Sequence, residues 1–229
     1  MRIAEEQLNT QQAPVREEEK TFVAPDPKPG YEFWKRVFDI VMSVLALIVL
    51  SPALLLVMLA IWLEDRGNPI YTQTRLTKGA KPFKMYKFRS MCMDADKMLD
   101  DLMDQNEMTG PAFKIKSDPR VTKVGKFLRR TSIDELPQLV NIIKGDMSII
   151  GPRPPLPREV EQYTPYQMHR LDVITGLACY HECTGRSDAR DFDEWVESDL
   201  RYILERSFAT DLKIIWWTIK IVITKKGAH

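Results

Sequence analysis

Ile40 to Leu63 is a run of 24 residues without a charged side chain. As a straight helix it would be about 36 Å long, enough to cross the roughly 30 Å hydrocarbon core of a bilayer. A plain spanning anchor is the simplest reading, and two features oppose it. Ser51-Pro52 sits at the middle of the run, where proline removes a backbone hydrogen bond and kinks a helix. Lys35 and Arg36 precede the run and Arg66, Arg75 and Lys78 follow it. Positive residues prefer the cytoplasmic side, so both ends favour the same face. A helix that enters, bends at Ser51-Pro52 and returns satisfies both features. On residue chemistry alone, spanning and re-entrant arrangements both stay open.

Residues 1–30 are polar, with Gln-Gln, Glu-Glu-Glu and prolines at 25, 27 and 29, and read as a mobile tail without a secretory signal pattern. After the apolar run, Ile70 to Met91 reads as short strands and turns. Asp94 to Met108 has helical spacing, with Met93, Met98 and Leu102 on one side as core filler. Met147 to Ile150 is a short apolar strand. It leads into Gly151-Pro152-Arg153-Pro154-Pro155-Leu156-Pro157, whose prolines hold Arg153 on a stiff backbone; a rigid linker is the plainer reading. Tyr166 to Leu171 and Phe192 to Arg206 are expected to be helices. Asp211 to Lys226 mixes Trp216, Trp217 and an Ile/Val-rich face with lysines, which suits a helix lying in a membrane interface. A core-packed terminal helix is the competing reading.

Charge is segregated although the formal net charge is only +1. Arg75 to Arg89 holds six basic residues and no acid, and Lys114 to Arg130 holds seven against Asp118. The acids gather in Asp94 to Glu107. No global excess drives nucleic-acid binding, and two basic blocks instead suggest a smaller anionic ligand. Three cysteines do not make a disulfide framework and fit a reducing compartment. Cys179-x-His181-x-Cys183 lacks a second cluster and does not have usual zinc spacing. Packed thiols on an extended segment are expected there.

Between the second basic block and Gly145 lies Arg129-Arg130-Thr131-Ser132-Ile133-Asp134-Glu135-Leu136-Pro137-Gln138. Pro137 is comfortable only in a first helical turn. A helix is therefore expected to start near Ile133 or Asp134 and to run to Gly145. Asp134 and Glu135 would sit at its positive end, where carboxylates, phosphates and a cation can share free amides. The plainer alternative is a capping box, Ser132-x-x-Glu135.

The order and spacing of these motifs resemble the bacterial sugar transferase family, the monotopic polyprenyl-phosphate phosphoglycosyl transferases that prime capsule, exopolysaccharide and O-antigen assembly. The similarity runs from about Tyr31 to Ile223. It is carried by Lys35-Arg36-Val37-Phe38-Asp39, the Ser51-Pro52 break, Lys87-Phe88-Arg89-Ser90-Met91 and Asp118-Pro119-Arg120-Val121-Thr122. Leu128 to Gln138, Gly145 to Pro154 and Asp211-Leu212-Lys213-Ile214 complete it.

The resemblance implies a mixed α/β, mostly helical fold. A polar tail (1–30) would precede a re-entrant membrane helix-break-helix (31–66), a small catalytic domain (67–208) and an interfacial amphipathic helix (209–229). It implies Asp134 as nucleophile, Glu135 as its neighbour, and Mg²⁺ on both. Arg129, Arg153, Lys87, Arg89, Ser90, Pro152, Pro154, Arg186 and Asp199 would serve the substrate. The donor would be a nucleoside (uridine) diphosphate sugar and the acceptor polyprenyl (undecaprenyl) phosphate in membrane lipid. The place would be the bacterial cytoplasmic membrane, with the catalytic domain on the cytoplasmic face. A homo-oligomer is left open. One departure stands out: Ala178 to Thr184 is longer than the family's link to Gly185-Arg186 and lacks its tryptophan. Two rival functions remain at this point, a phosphatase using the same aspartate and a non-catalytic membrane adaptor.

Overall fold

A computed structural model describes residues 21–107, 109–111, 115, 118–183 and 191–224. The chain is mixed α/β and mostly helical. Helix α1 (Pro29–Asp65) is followed by the antiparallel hairpin β1 (Ile70–Thr77) and β2 (Lys81–Phe88). Helices α2 (Lys123–Thr131) and α3 (Gln138–Lys144) come next, then β3 (Ser148–Ile150), α4 (Pro157–Val160) and α5 (Pro165–Met168). Strand β4 (Gly176–Ala178) pairs in parallel with β3, and α6 (Tyr180–Cys183), α7 (Phe192–Glu205) and α8 (Phe208–Thr224) close the chain.

Helix α1 is long and apolar enough to cross a membrane, yet it touches the rest of the chain along most of its length. Ala46 and Leu47 pack on a core of Phe83, Met85, Leu139, Ile142 and Met147. Leu54, Val57 and Met58 pack beside Ile61, Phe88 and Leu128. Polar ties mark its first turns. Asp39 is buried and accepts from the Ser148 hydroxyl (2.7 Å) and the Ile149 amide (3.2 Å). Tyr31 and Lys35 both reach Asp211 of α8, at 2.7 and 3.0 Å, and Tyr202 of α7 donates to it at 2.9 Å. The opposite face, including Val41, Leu45, Ile48, Val49, Leu55 and Leu56, is exposed.

Helix α1 stays helical through Ser51-Pro52, so the chain does not unwind at the expected break. Pro52 has no amide hydrogen for the Ile48 carbonyl four residues back, and the Ser51 hydroxyl donates to that oxygen instead at 2.9 Å. One lost backbone bond is thus replaced locally.

Two other expectations change. Asp94 to Glu107 is not an α-helix but contains two 3-10 turns, Ala95–Met98 and Asp100–Gln105, and Met108 lies outside the described residues. Asp96, Asp100 and Asp104 would stack like charges four residues apart on an α-helix, which opposes it. Leu102 is buried there, but Met93 and Met98 are exposed rather than core filler. Tyr180–Cys183 is a helical turn, not extended; the Cys179 and Cys183 thiols are both buried, and His181 stacks on Trp195.

A third core gathers β3, β4, α7 and α8 around Ile150, Ala178, Val196, Leu200, Ile203 and Ile214. Each such side chain contributes about 1.5–3 kcal/mol on burial, so α8 is held on one face by Ile214. Its other face leaves Leu212, Trp216, Ile219 and Val222 exposed. At the other end of the described chain, Phe22 lies against His169 with ring centroids 5.0 Å apart, so the segment 21–28 touches the domain before α1 begins. Residues 1–20 lie outside the described residues.

Candidate active site

Helix α2 starts at Thr122, whose side chain accepts from the Gly125 amide at 2.9 Å. Gly125 allows the helix to sit directly on the Ser90 backbone, since a Cβ there would fall 2.0 Å from the Ser90 carbonyl oxygen. That approach lets Arg129, one turn later, donate from Nε to Ser90 Oγ at 2.9 Å. The helix ends at Ser132, which takes a left-handed conformation (φ 55°).

The acids occupy a separate element. Ile133–Glu135 is a 3-10 turn between α2 and α3, and α3 begins only at Gln138 with Pro137 as its cap. The expected helix start near Ile133 is therefore displaced. The Ser132 capping box is also absent, because a left-handed Ser132 makes no side-chain cap to the turn that follows. Asp134 is 8% exposed and Glu135 half-buried.

Glu135 forms part of a pocket wall with Arg75, Lys87, Gln138, Arg153 and Leu177; Asp134, its neighbour, is not in that lining. Lys87 Nζ meets Glu135 Oε1 at 2.7 Å. Arg75 and Lys87 reach the same pocket because both strands alternate faces: in the hairpin register Arg75 faces Phe83, and Phe83, Met85 and Lys87 share a side. Arg75 also carries the proline-rich loop. Its Nη1 donates to the Pro154 carbonyl (2.9 Å), its other nitrogens to Gln73 Oε1, and the neighbouring Leu76 amide donates to Pro155 (3.0 Å). Arg153 is held between this loop and the Trp195 ring, whose centroid is 5.7 Å from its guanidinium carbon.

The charges set the two acids apart. Burial, then the adjacent Glu135, push Asp134 above the usual carboxylate range against the pull of Lys87 and Arg129. Burial also pushes Glu135 up, but Lys87, Arg153 and Arg75 together outweigh it, and its carboxyl falls below the usual range. Burial and the like charge of Arg153 bring Arg75 down to about 10, so it stays cationic at neutral pH. The result is one ionised, ion-paired carboxylate beside one whose proton is held more tightly, under an excess of guanidinium charge.

The structure thus brings together Asp134, Glu135, Lys87, Arg129, Ser90, Arg153 and Pro154, with Pro152 one residue behind accepting from the Gly176 amide at 2.8 Å. Two expected substrate residues stand elsewhere. Arg89 is ion-paired with Asp65 at the end of α1; it stands one residue past the end of β2, where the strand's alternation no longer sets its direction. Asp199 is fully buried and paired with Arg170 at 2.7 Å, inside a shell of Tyr163, Phe192 and Trp195. Arg186 lies outside the described residues. Sequence reasoning missed Arg75 and Gln138 as pocket residues. Strand parity with Lys87 across the hairpin was the signal that could have found Arg75.

The bacterial sugar transferase family matches residues 30–225, nearly the whole of the described chain. The chain belongs to the bacterial sugar transferase family. It is 43% identical over 194 residues to the galactosyl transferase CpsE of Streptococcus agalactiae serotype III, covering 85% of this chain and 43% of that protein. It is 40% identical over 203 residues to the UDP-glucose:undecaprenyl-phosphate glucose-1-phosphate transferase of Escherichia coli K12, covering 85% and 41%. With the exopolysaccharide production protein ExoY of Sinorhizobium fredii the identity is 39% over 199 residues, and the match covers 85% of this chain and 88% of the relative. The chain therefore spans less than half the length of the first two relatives and most of the third.

Proposed function

We propose that this sugar transferase moves a phosphosugar from a nucleoside diphosphate sugar, with uridine as the nucleoside, to polyprenyl phosphate in the membrane. Asp134 is the nucleophile. The observation that carries this reading is the turn Ile133–Glu135, where the buried Asp134 carboxylate lies in the field of Lys87 and Arg129 and its neighbour Glu135 in that of Lys87, Arg153 and Arg75.

In the first step an Asp134 oxygen attacks the sugar-bearing phosphorus. The bond from that phosphorus to the bridging oxygen breaks, and the nucleoside monophosphate leaves with the electron pair. In the second step a phosphate oxygen of the polyprenyl acceptor attacks the same phosphorus and the Asp134 carboxylate is released. A diphosphate repels a carboxylate, so the site must neutralise charge around phosphorus before attack. Arg153 and Arg75 supply that charge from the loop and β1, and Arg129 from α2, with guanidinium forks matched to phosphate. Ser90 positions Arg129 and Lys87 holds Glu135 ionised.

The donor set fits Mg²⁺. Two adjacent carboxylates offer hard oxygen ligands, and Mg²⁺ is commonly held by one or two carboxylates plus substrate phosphates and water. Asp134 and Glu135 would hold it, and when bound it would neutralise developing phosphate charge. Among the described residues no set of three Asp, Glu, His or Cys forms a fuller cage.

A lipid acceptor requires the site to lie at a membrane. The exposed apolar face of α1 and the Leu212, Trp216, Ile219 and Val222 face of α8 suit insertion from one side. Contacts of α1 with the catalytic domain on both sides of Ser51-Pro52 favour a shallow, re-entrant seating over a crossing, with the domain on the cytoplasmic face. The protein would prime bacterial surface polysaccharide synthesis from the cytoplasmic membrane.

The test is a screen of nucleoside diphosphate sugars with purified protein, Mg²⁺ and undecaprenyl phosphate, reading monophosphate release beside Asp134→Asn. Release that needs the lipid for sustained turnover and disappears in the variant is expected, and it names the sugar. Release of inorganic phosphate without acceptor would instead select the phosphatase.

A further inference from the structure

The two helices that flank the acidic turn are short, nine and seven residues, and helices of that length do not hold a position by themselves. Each is gripped at the end far from the turn, and in both cases by α1. At the start of α2, Glu64 Oε1 accepts from the Lys123 and Val124 amides at 3.0 and 3.2 Å. At the end of α3, Arg36 donates to the Ile142 and Ile143 carbonyls, the latter at 2.9 Å. Gly145 (φ 92°) closes α3 and keeps that corner open, since a Cβ there would sit 3.3 Å from the Arg36 guanidinium. The signs are those the helix dipoles favour, an anion at the amino end of α2 and a cation at the carboxyl end of α3.

The near ends of the same helices define the site. Arg129 closes α2, and Glu135 stands just before α3. Apolar contacts reinforce both grips: Val124, Leu128 and Ile133 pack beside Leu54, Val57 and Met58, while Leu139 and Ile142 pack with Ala46 and Leu47. The two sets of contacts fall on either side of the exposed residues Ser51, Pro52 and Ala53. One half of α1 therefore holds the helix that carries Arg129, and the other half holds the helix that follows the two acids.

We infer that Arg36 and Glu64 are positioning residues for the reaction, through which the apolar helix α1 sets the alignment of Arg129 with Asp134 and Glu135. The kinetic consequence rests on the phosphosugar-transfer reading; the structural one does not. A displacement of about 1 Å between a reacting group and its stabilising charge can lower a rate by up to about 100-fold. Neither Arg36 nor Glu64 belongs to the donor pocket, so substrate affinity should be spared.

The experiment compares wild type with Glu64→Leu and Arg36→Met, and with the conservative Glu64→Gln and Arg36→Lys, in the full chain in lipid nanodiscs. Gln retains the acceptor oxygen and Lys retains a cationic donor, so both should keep the grip and the fold. The expected result is a fall in kcat of about tenfold in the first pair with donor KM within about twofold, and recovery in the second pair. Hydrogen exchange supplies a readout besides activity. The Glu135 and Leu136 amides, bonded to Ser132 and Ile133, should exchange about tenfold faster in Glu64→Leu and Arg36→Met, while the β3–β4 amides stay unchanged. An active wild type whose variants keep both kcat and turn exchange would overturn the inference. So would variants in which all amides loosen alike, since that is plain destabilisation. A wild type silent on every donor, with selective loosening of the turn in the variants, would count against the transferase reading and leave the grip established.

Discussion

Asp134 and Asp199 are both buried aspartates whose carboxyls burial pushes above the usual range, yet their surroundings are opposite. Arg170 touches Asp199 at 2.7 and 2.8 Å, the Tyr163 hydroxyl accepts from the same guanidinium at 2.6 Å, and aromatic rings seal the pair. Among the described residues no cation touches the Asp134 carboxylate; Lys87 is spent on Glu135 and Arg129 on Ser90. A carboxylate whose charge is already answered in contact is structural. One that is buried among cations held just out of reach is available to a substrate. The same residue type near arginine thus stands in two settings, and direct contact separates them.

The largest expected effect separates the two sites outright. Asp134→Asn should lower turnover by about 10⁴-fold or more while leaving thermal stability equal or slightly higher, because a buried charge is removed. Asp199→Asn should do the reverse. It leaves the Arg170 guanidinium buried without its counter-charge, and should cost about 3–5 kcal/mol of unfolding free energy in denaturant titration. Comparable loss of stability in both variants would erase the distinction.

Next in size is Arg153→Met. Arg153 lines the pocket beside Glu135, the proposed donor site, whereas Arg170 is buried against Asp199. Loss of the Arg153 charge should lower kcat/KM by about 10²–10³-fold with little change in melting temperature.

The pH profile sharpens the same comparison. In the proposed reaction Asp134 attacks as the carboxylate, so activity should be present above its raised pKa and be lost as pH falls through it. The acid limb of kcat/KM should therefore lie above the usual carboxylate range. Lys87 draws the Asp134 pKa down, so Lys87→Met should move that limb to higher pH, measured as initial rates of monophosphate release. A limb that does not move would remove Lys87 from the electrostatics of the nucleophile.

Much of this was legible in the sequence. The apolar run, the short strands after it, the short strand before the proline-rich loop and the two late helices follow from local periodicity and turn residues. The family motifs pointed to the acidic pair. What escaped was set by contacts distant in the chain. Arg89 reads as one more basic residue of its block, but Asp65, 24 residues earlier, claims it. Asp199 reads as a site acid until Arg170 is folded against it. The start of α3 was misplaced because Ser132 adopts a left-handed conformation that its sequence does not demand. That α1 stays helical at Pro52 was hidden because the compensating Ser51 hydroxyl is a side-chain choice invisible to hydropathy. Arg89→Met is accordingly the smallest expected effect, a donor KM within about twofold of wild type.

The central claim is that Asp134 carries the phosphosugar between donor and lipid. The most direct measurement is intact-protein mass spectrometry of the chain mixed with its donor and Mg²⁺ in the absence of polyprenyl phosphate, followed by peptide mapping. The expected result is a mass increase of one phosphosugar on the peptide containing Asp134, lost on adding acceptor and absent from Asp134→Asn. Full turnover with acceptor, but no adduct at any time without it, would mean direct transfer and would contradict the account.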